Sequence, residues 1–167
     1  MFKSSWLKVC AGFAAVFMGA AALPATAAEL TAEEAVLQRK FVDRMVKGLI
    51  KGYETSSGKT VSPVQREELR RLVGKTFPRY IAAVRRAGFY EEYKTQMSDP
   101  EIDRLNEAIL NAGNMDELRQ LSRQLMSYIR KQYPRLTEWQ DSDRELAEIY
   151  LPMFEEIKGV LGLRRNN

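Results

Sequence analysis

Ser56 and Lys59 stand in the S-x-x-K spacing with which a lysine activates a serine nucleophile in penicillin-binding enzymes. That chemistry requires the pair at a helix start, with S-D-N and K-T-G companions. Here Ser98-Asp99 is followed by Pro100, Lys59-Thr60 is followed by Val61, and the pair lies in a polar stretch. A flexible linker accounts for it better. Gly58-Lys59-Thr60 also has the ending of a phosphate-cradling loop. Such a loop sets four residues between its two glycines, whereas Gly52 leaves five, and the segment before it reads as helix rather than strand.

Histidine is absent from the sequence, and the one cysteine, Cys10, falls in an N-terminal stretch with the features of a leader. The common zinc sites, Ser-His and Cys-His nucleophile systems and haem ligation therefore have neither ligands nor base. Carboxylates, lysine, tyrosine and serine remain. Glu91, Glu92, Glu107 and the Asp141/Asp143/Glu145 group are candidates for a general acid, but capping and the helix dipole explain most acids at these positions. Asp99, Glu101 and Asp103 alternate without the glycine and distal glutamate of a calcium loop. No catalytic residue, no metal site and no cofactor is expected.

The charge layout says more. Across residues 63–88, Arg66, Arg70, Arg71, Lys75, Arg79, Arg85 and Arg86 face only Glu67 and Glu68. The segments 89–127 and 141–157 are acidic. Arg71, Lys75 and Arg79 recur every fourth residue and share one face if the helix is continuous. Tyr80, Phe89, Tyr90 and Tyr93 lie alongside. The candidate binding surface is therefore Arg71, Lys75, Arg79, Arg85 and Arg86 with Tyr80, Tyr90 and Tyr93, suited to phosphate or carboxylate groups. The plainer alternative has the basic and acidic faces complementing one another within the fold, with the aromatics in the core.

These residues must be positioned by helices. Thr31-Ala-Glu-Glu34 is a capping box, and the apolar stripe from Val36 to Tyr53 predicts a helix over about 31–54. Residues 55–62 read as a loop. Ser62, Pro63 and Gln65 open a second helix, which Gly74 and Pro78 either kink or divide near Thr76, and Gly88 stops it. Residues 89–97 suit one or two further turns. Asp99-Pro100 starts a helix that ends at Gly113, Asn114 caps another, and Pro134 stops that one. A Ser142-x-x-Glu145 box opens the last helix, with a kink at Pro152. No stretch alternates like a strand. The fold class is all-α: a single compact domain of five to seven short-to-medium amphipathic helices, bundle-like or orthogonal, over 29–163. Residues 164–167 read as a frayed C-terminal tail.

Lys3 and Lys8, an apolar run from Val9 to Leu23, Pro24 and then Ala25-Thr26-Ala27 have the layout of a secretory signal peptide over 1–28, cut near Ala27 or Ala28. The 15-residue run is shorter than the roughly 20 residues that span a bilayer. Of the 26 basic residues, Lys3 and Lys8 leave with the leader, so 24 face 22 acids and the mature net charge is +2. That balance argues against general nucleic-acid binding. The expected destination is the Gram-negative periplasm or the exterior. The expected function is non-enzymatic: binding an envelope protein or anionic envelope component through the basic-aromatic surface, in an adaptor, chaperone-like or inhibitor role. The alternatives are a carboxylate-dependent enzyme acting on peptidoglycan or glycan, and a peripheral binder of the anionic membrane surface.

Overall fold

A computed structural model describes residues 30–163; the leader reading of 1–28 and the tail reading of 164–167 fall outside them. The described residues form seven helices and no strand. In chain order they are α1 (Ala32–Ser57), α2 (Pro63–Arg86), α3 (Tyr90–Met97), α4 (Pro100–Asn111), α5 (Met115–Gln132), α6 (Pro134–Ser142) and α7 (Arg144–Val160).

Local chemistry sets most of these boundaries. Thr31 Oγ1 accepts from the Glu34 amide at 3.2 Å, and Glu34 Oε2 accepts from the Thr31 amide at 2.8 Å. Ser62 and Gln65 make the same reciprocal pair at 3.2 and 2.9 Å. Each box satisfies two amides that a helix start leaves without partners. Gly58 and Gly88 carry the positive φ, 68° and 79°, at which α1 and α2 turn off.

Packing then follows from the apolar stripes. Helix α2 is the centre: Leu69, Val73, Phe77 and Val84 are fully buried. It lies between α1 and α7, its main neighbours. Both run antiparallel to it. Glu54 meets Arg66 (3.1 Å) at one end of the α1–α2 seam and Glu34 meets Arg85 (3.0 Å) at the other. Gln65 donates to the Val160 carbonyl at 2.8 Å, while Arg86 pairs with Glu145 at the far end of α7. Helices α4 and α5 form a hairpin that packs on α1. An aromatic group ties the layers together: Phe41, Tyr93 and Tyr150 surround Tyr80 with ring centres 5.3 to 5.8 Å away, within the favourable range for ring pairs.

One open alternative is decided and three local expectations change. Helix α2 is continuous through Gly74 and Pro78. Pro78 has no amide for the Gly74 carbonyl, and Gln38 Nε2 of α1 supplies the missing donor at 3.0 Å. At Gly74 an added Cβ would make an ordinary contact with a Val42 methyl of α1, at 3.8 Å. Helix α1 extends to Ser57, where the Ser56 and Ser57 hydroxyls bond back to the Tyr53 carbonyl. Pro134 ends α5 but also occupies the first turn of α6, a helix the sequence reading did not separate. Finally, Asp143 rather than Ser142 caps α7, accepting from the Glu145 and Leu146 amides, while Ser142 Oγ bonds the Glu138 carbonyl.

Candidate functional site

The basic-aromatic group of the sequence reading divides into three places. Tyr80 and Tyr93 are each 2 % exposed and belong to the core. Burial pushes their phenols, and that of Tyr150, above the ordinary value, so all three stay protonated. Gln140 donates to Tyr80 Oη at 2.9 Å. These rings hold helices together in the core.

Arg85 and Tyr90 form a second place, where α1 begins. Arg85 Nε pairs with the buried Glu34, the same residue that completes the α1 capping box. Its guanidinium lies 4.5 Å from the Tyr90 ring centre. Tyr90 Oη donates to Glu33, and Lys94 donates to the other Glu33 oxygen. The hydrogen bonds from Lys94 and Tyr90 hold the Glu33 carboxyl below its usual range. This network ties α3 and the end of α2 to the start of α1, and its charges face one another.

The third place is the outer ridge of α2. Arg71, Lys75, Arg79 and Arg86 are exposed. Arg71 makes a two-pronged pair with Glu68 at 2.6 and 2.8 Å, and Arg86 pairs with Glu145. Lys75 and Arg79 have no ionic partner among the described residues.

Asp99 and Asp103, two of the alternating acids, are engaged in structure. Asp99 caps α4, accepting from the Glu101 and Ile102 amides, and also accepts from Tyr133 Oη at 2.7 Å and Tyr128 Oη at 3.1 Å. Burial pushes this carboxyl up, but those hydrogen bonds outweigh it and hold its pKa below the ordinary value. Asp103 binds Lys40 and Arg44. Among the described residues no group of three or more ligand side chains is arranged to hold a metal ion. Ser56 and Lys59 lie at the end of α1 and just beyond it, so the serine is not at a helix start.

The best-formed concavity lies elsewhere, where α1 meets the α4–α5 hairpin. It is an apolar cleft of about 170 Å³. Helix α1 contributes Phe41, Met45, Gly48 and Leu49; Ile102 and Ile109 come from α4, and Leu118, Leu125 and Ile129 from α5. Four methionines, Met45, Met97, Met115 and Met126, line it. Their flexible thioethers adapt to varied apolar shapes.

Arg44 lines this cleft, and Lys51, farther along α1, reaches the end of α4. Arg44 donates to the Met97 carbonyl at 3.0 Å and pairs with Asp103. Lys51 Nζ donates to the Ala112 carbonyl at 2.5 Å, just past the end of α4. Seven residues separate the two, roughly 10 Å along the helix. Gly48 sits between them, and a Cβ there would meet nothing within 4 Å. The struts hold the hairpin at both ends, and the missing side chain leaves the middle open.

Among the described residues no helix is long and apolar enough to cross a membrane. Compared with known protein families, with curated proteins and with solved structures, the chain matches none.

Proposed function

We propose that this chain is an exported, non-enzymatic helical binding protein of the cell envelope, and that the cleft between α1, α4 and α5 receives an apolar group of its ligand. Export rests on the leader pattern, with Lys3 and Lys8, the apolar run and Ala25-Thr26-Ala27 in order. Binding rests on one observation above all: Gly48 opens onto an apolar cleft of about 170 Å³ instead of closing against the hairpin. Interior glycine in a helix costs about 1 kcal/mol relative to alanine. Nothing sterically requires glycine at this position. An opening kept at such a cost suits a ligand site.

The neutral dye N-phenyl-1-naphthylamine tests the reading, because its phenyl ring matches the one-benzene size of the cleft while its naphthyl group rests at the mouth. The expected result is saturable, one-to-one binding with a rise in emission, reversed by an alkyl competitor. A linear, non-saturating response would remove the cleft from consideration.

A second reading rests on Lys75 and Arg79, exposed one turn apart on α2 without ionic partners among the described residues. They suit contact with an anionic envelope surface, through electrostatics that salt screens.

A further inference from the structure

We infer that the cleft's ligand is a medium-chain alkyl carboxylate, a free fatty acid whose tail enters the apolar cleft and whose head group sits against Arg44. This deepens the reading of the cleft as a binding site and depends on it.

Size limits the tail. A closed cavity of about 150 Å³ takes one benzene, so the 170 Å³ here accommodates roughly six to eight carbons of one alkyl chain. A two-chain phospholipid exceeds it.

Charge selects the head. Lys40, Arg44, Lys47 and Lys51 recur at spacings of four, three and four, which sets them in one stripe along α1. Arg44 belongs both to the stripe and to the cleft wall. Two carboxylates answer these four cations: Asp103 serves Lys40 and Arg44, and Asp43 serves Lys47. Among the described residues Lys51 has only a carbonyl. Arg44 lines the apolar hole and the rest of its stripe on α1 carries surplus positive charge, an arrangement complementary to an anionic amphiphile.

Arg44 adds a specific feature. Its side chain is 16 % exposed. The Nη atoms are used by Met97 and Asp103, while Nε is buried without an acceptor among the described residues. Leaving a buried donor unpaired is costly, and nearly all such groups find partners. The Met97 thioether lies 3.3 Å from Nη1 and is the group that must swing aside. A carboxylate at that end of the cleft supplies the oxygen that Nε lacks.

Displacement of the bound dye by octanoate, 1-octanol and octylamine, measured on the native protein, tests the head group. Octanoate should compete at least tenfold better than octanol, and octylamine worst. From hexanoate to octanoate each methylene should tighten binding about fourfold, levelling off once the cleft is full. In Arg44→Gln the octanoate-to-octanol ratio should fall toward one; as a ratio it is insensitive to any general loosening of the cleft. Should that variant fail to fold, the head-group series on the native chain still decides. Equal competition by octanoate and octanol would overturn the carboxylate and leave the apolar cleft standing. Failure of every alkyl compound to displace the dye would overturn both. Competition by anionic phospholipid vesicles but not by octanoate would overturn the free acid as the source.

Discussion

Replacing Gly48 tests the cleft through two opposite effects. The residue lies inside α1, and a Cβ there meets nothing within 4 Å. Gly48→Ala should therefore gain the helix-propensity difference alone, about 1 kcal/mol. Gly48→Leu should gain that and more. Its side chain enters an apolar cleft, worth up to roughly 2 kcal/mol of burial, less about 0.5–1 kcal/mol of lost rotamer freedom. The net expectation is about 2 kcal/mol of added stability. Ligand binding should move the other way, because the isobutyl group takes up space the ligand requires. Urea denaturation followed by helix circular dichroism gives the first quantity, and dye titration of the same sample gives the second. In a well-packed site an added leucine overpacks, typically costing 1–3 kcal/mol. A lower urea midpoint for Gly48→Leu would thus mean that α1 and the hairpin close against each other there. A more stable Gly48→Leu that still binds the dye with native affinity would mean that the dye sits elsewhere.

Three further outcomes are expected. Gln38→Leu should cost about 1–2 kcal/mol, since it leaves the Gly74 carbonyl without a donor, and Pro78→Ala should recover part of that loss by restoring an amide; additive effects in the double variant would refute the link. The Asp99 pKa is lower in the folded than in the unfolded chain, so its contribution is complete above the unfolded value, near 4, and is lost as pH falls through the folded one. Asp99→Asn should therefore flatten stability against pH below about 4, and an unchanged acid limb would contradict the assignment. Lys75→Glu with Arg79→Glu should leave stability within about 0.5 kcal/mol of native, because neither residue has an ionic partner to lose among the described residues, yet abolish any salt-sensitive adsorption to anionic vesicles; adsorption that persists would refute the ridge.

What could be read from the sequence was what depends on near neighbours. The Thr31/Glu34 and Ser62/Gln65 boxes, the Asp99 and Asn114 caps and the Gly88 stop are each decided within four residues, and each is present. What escaped depends on distant partners. The continuity of α2 is set by Gln38, 36 residues before the carbonyl it satisfies. Arg85 looked available because Glu34 lies far away in sequence, and of the two places open to Tyr80 and Tyr93, beside the arginines or in the core, the fold takes the core. Val36 and Val64 extend apolar stripes but stand 53 % and 79 % exposed, at positions their helices turn outward. The cleft left the faintest trace, since a glycine that opens space and one that permits contact are the same letter.

Lys51 separates shape from charge in that cleft. As a strut it fixes the end of the α4–α5 hairpin through the Ala112 carbonyl, and its charge also sits favourably at the negative end of α4. Lys51→Met keeps the length of the side chain and removes both the donor and the charge. If the strut matters, the hairpin end shifts, the cleft changes shape, and octanol and octanoate weaken by the same factor. If only the charge matters, octanol binding stays native while octanoate weakens alone. The geometry favours the first outcome, because Lys51 Nζ is already engaged with a carbonyl whereas Arg44 retains a donor without an acceptor. The expected loss in stability is about 1 kcal/mol, the net worth of one hydrogen bond. A selective loss of octanoate in Lys51→Met, with an intact carboxylate preference in Arg44→Gln, would move the head group to the opposite end of the cleft.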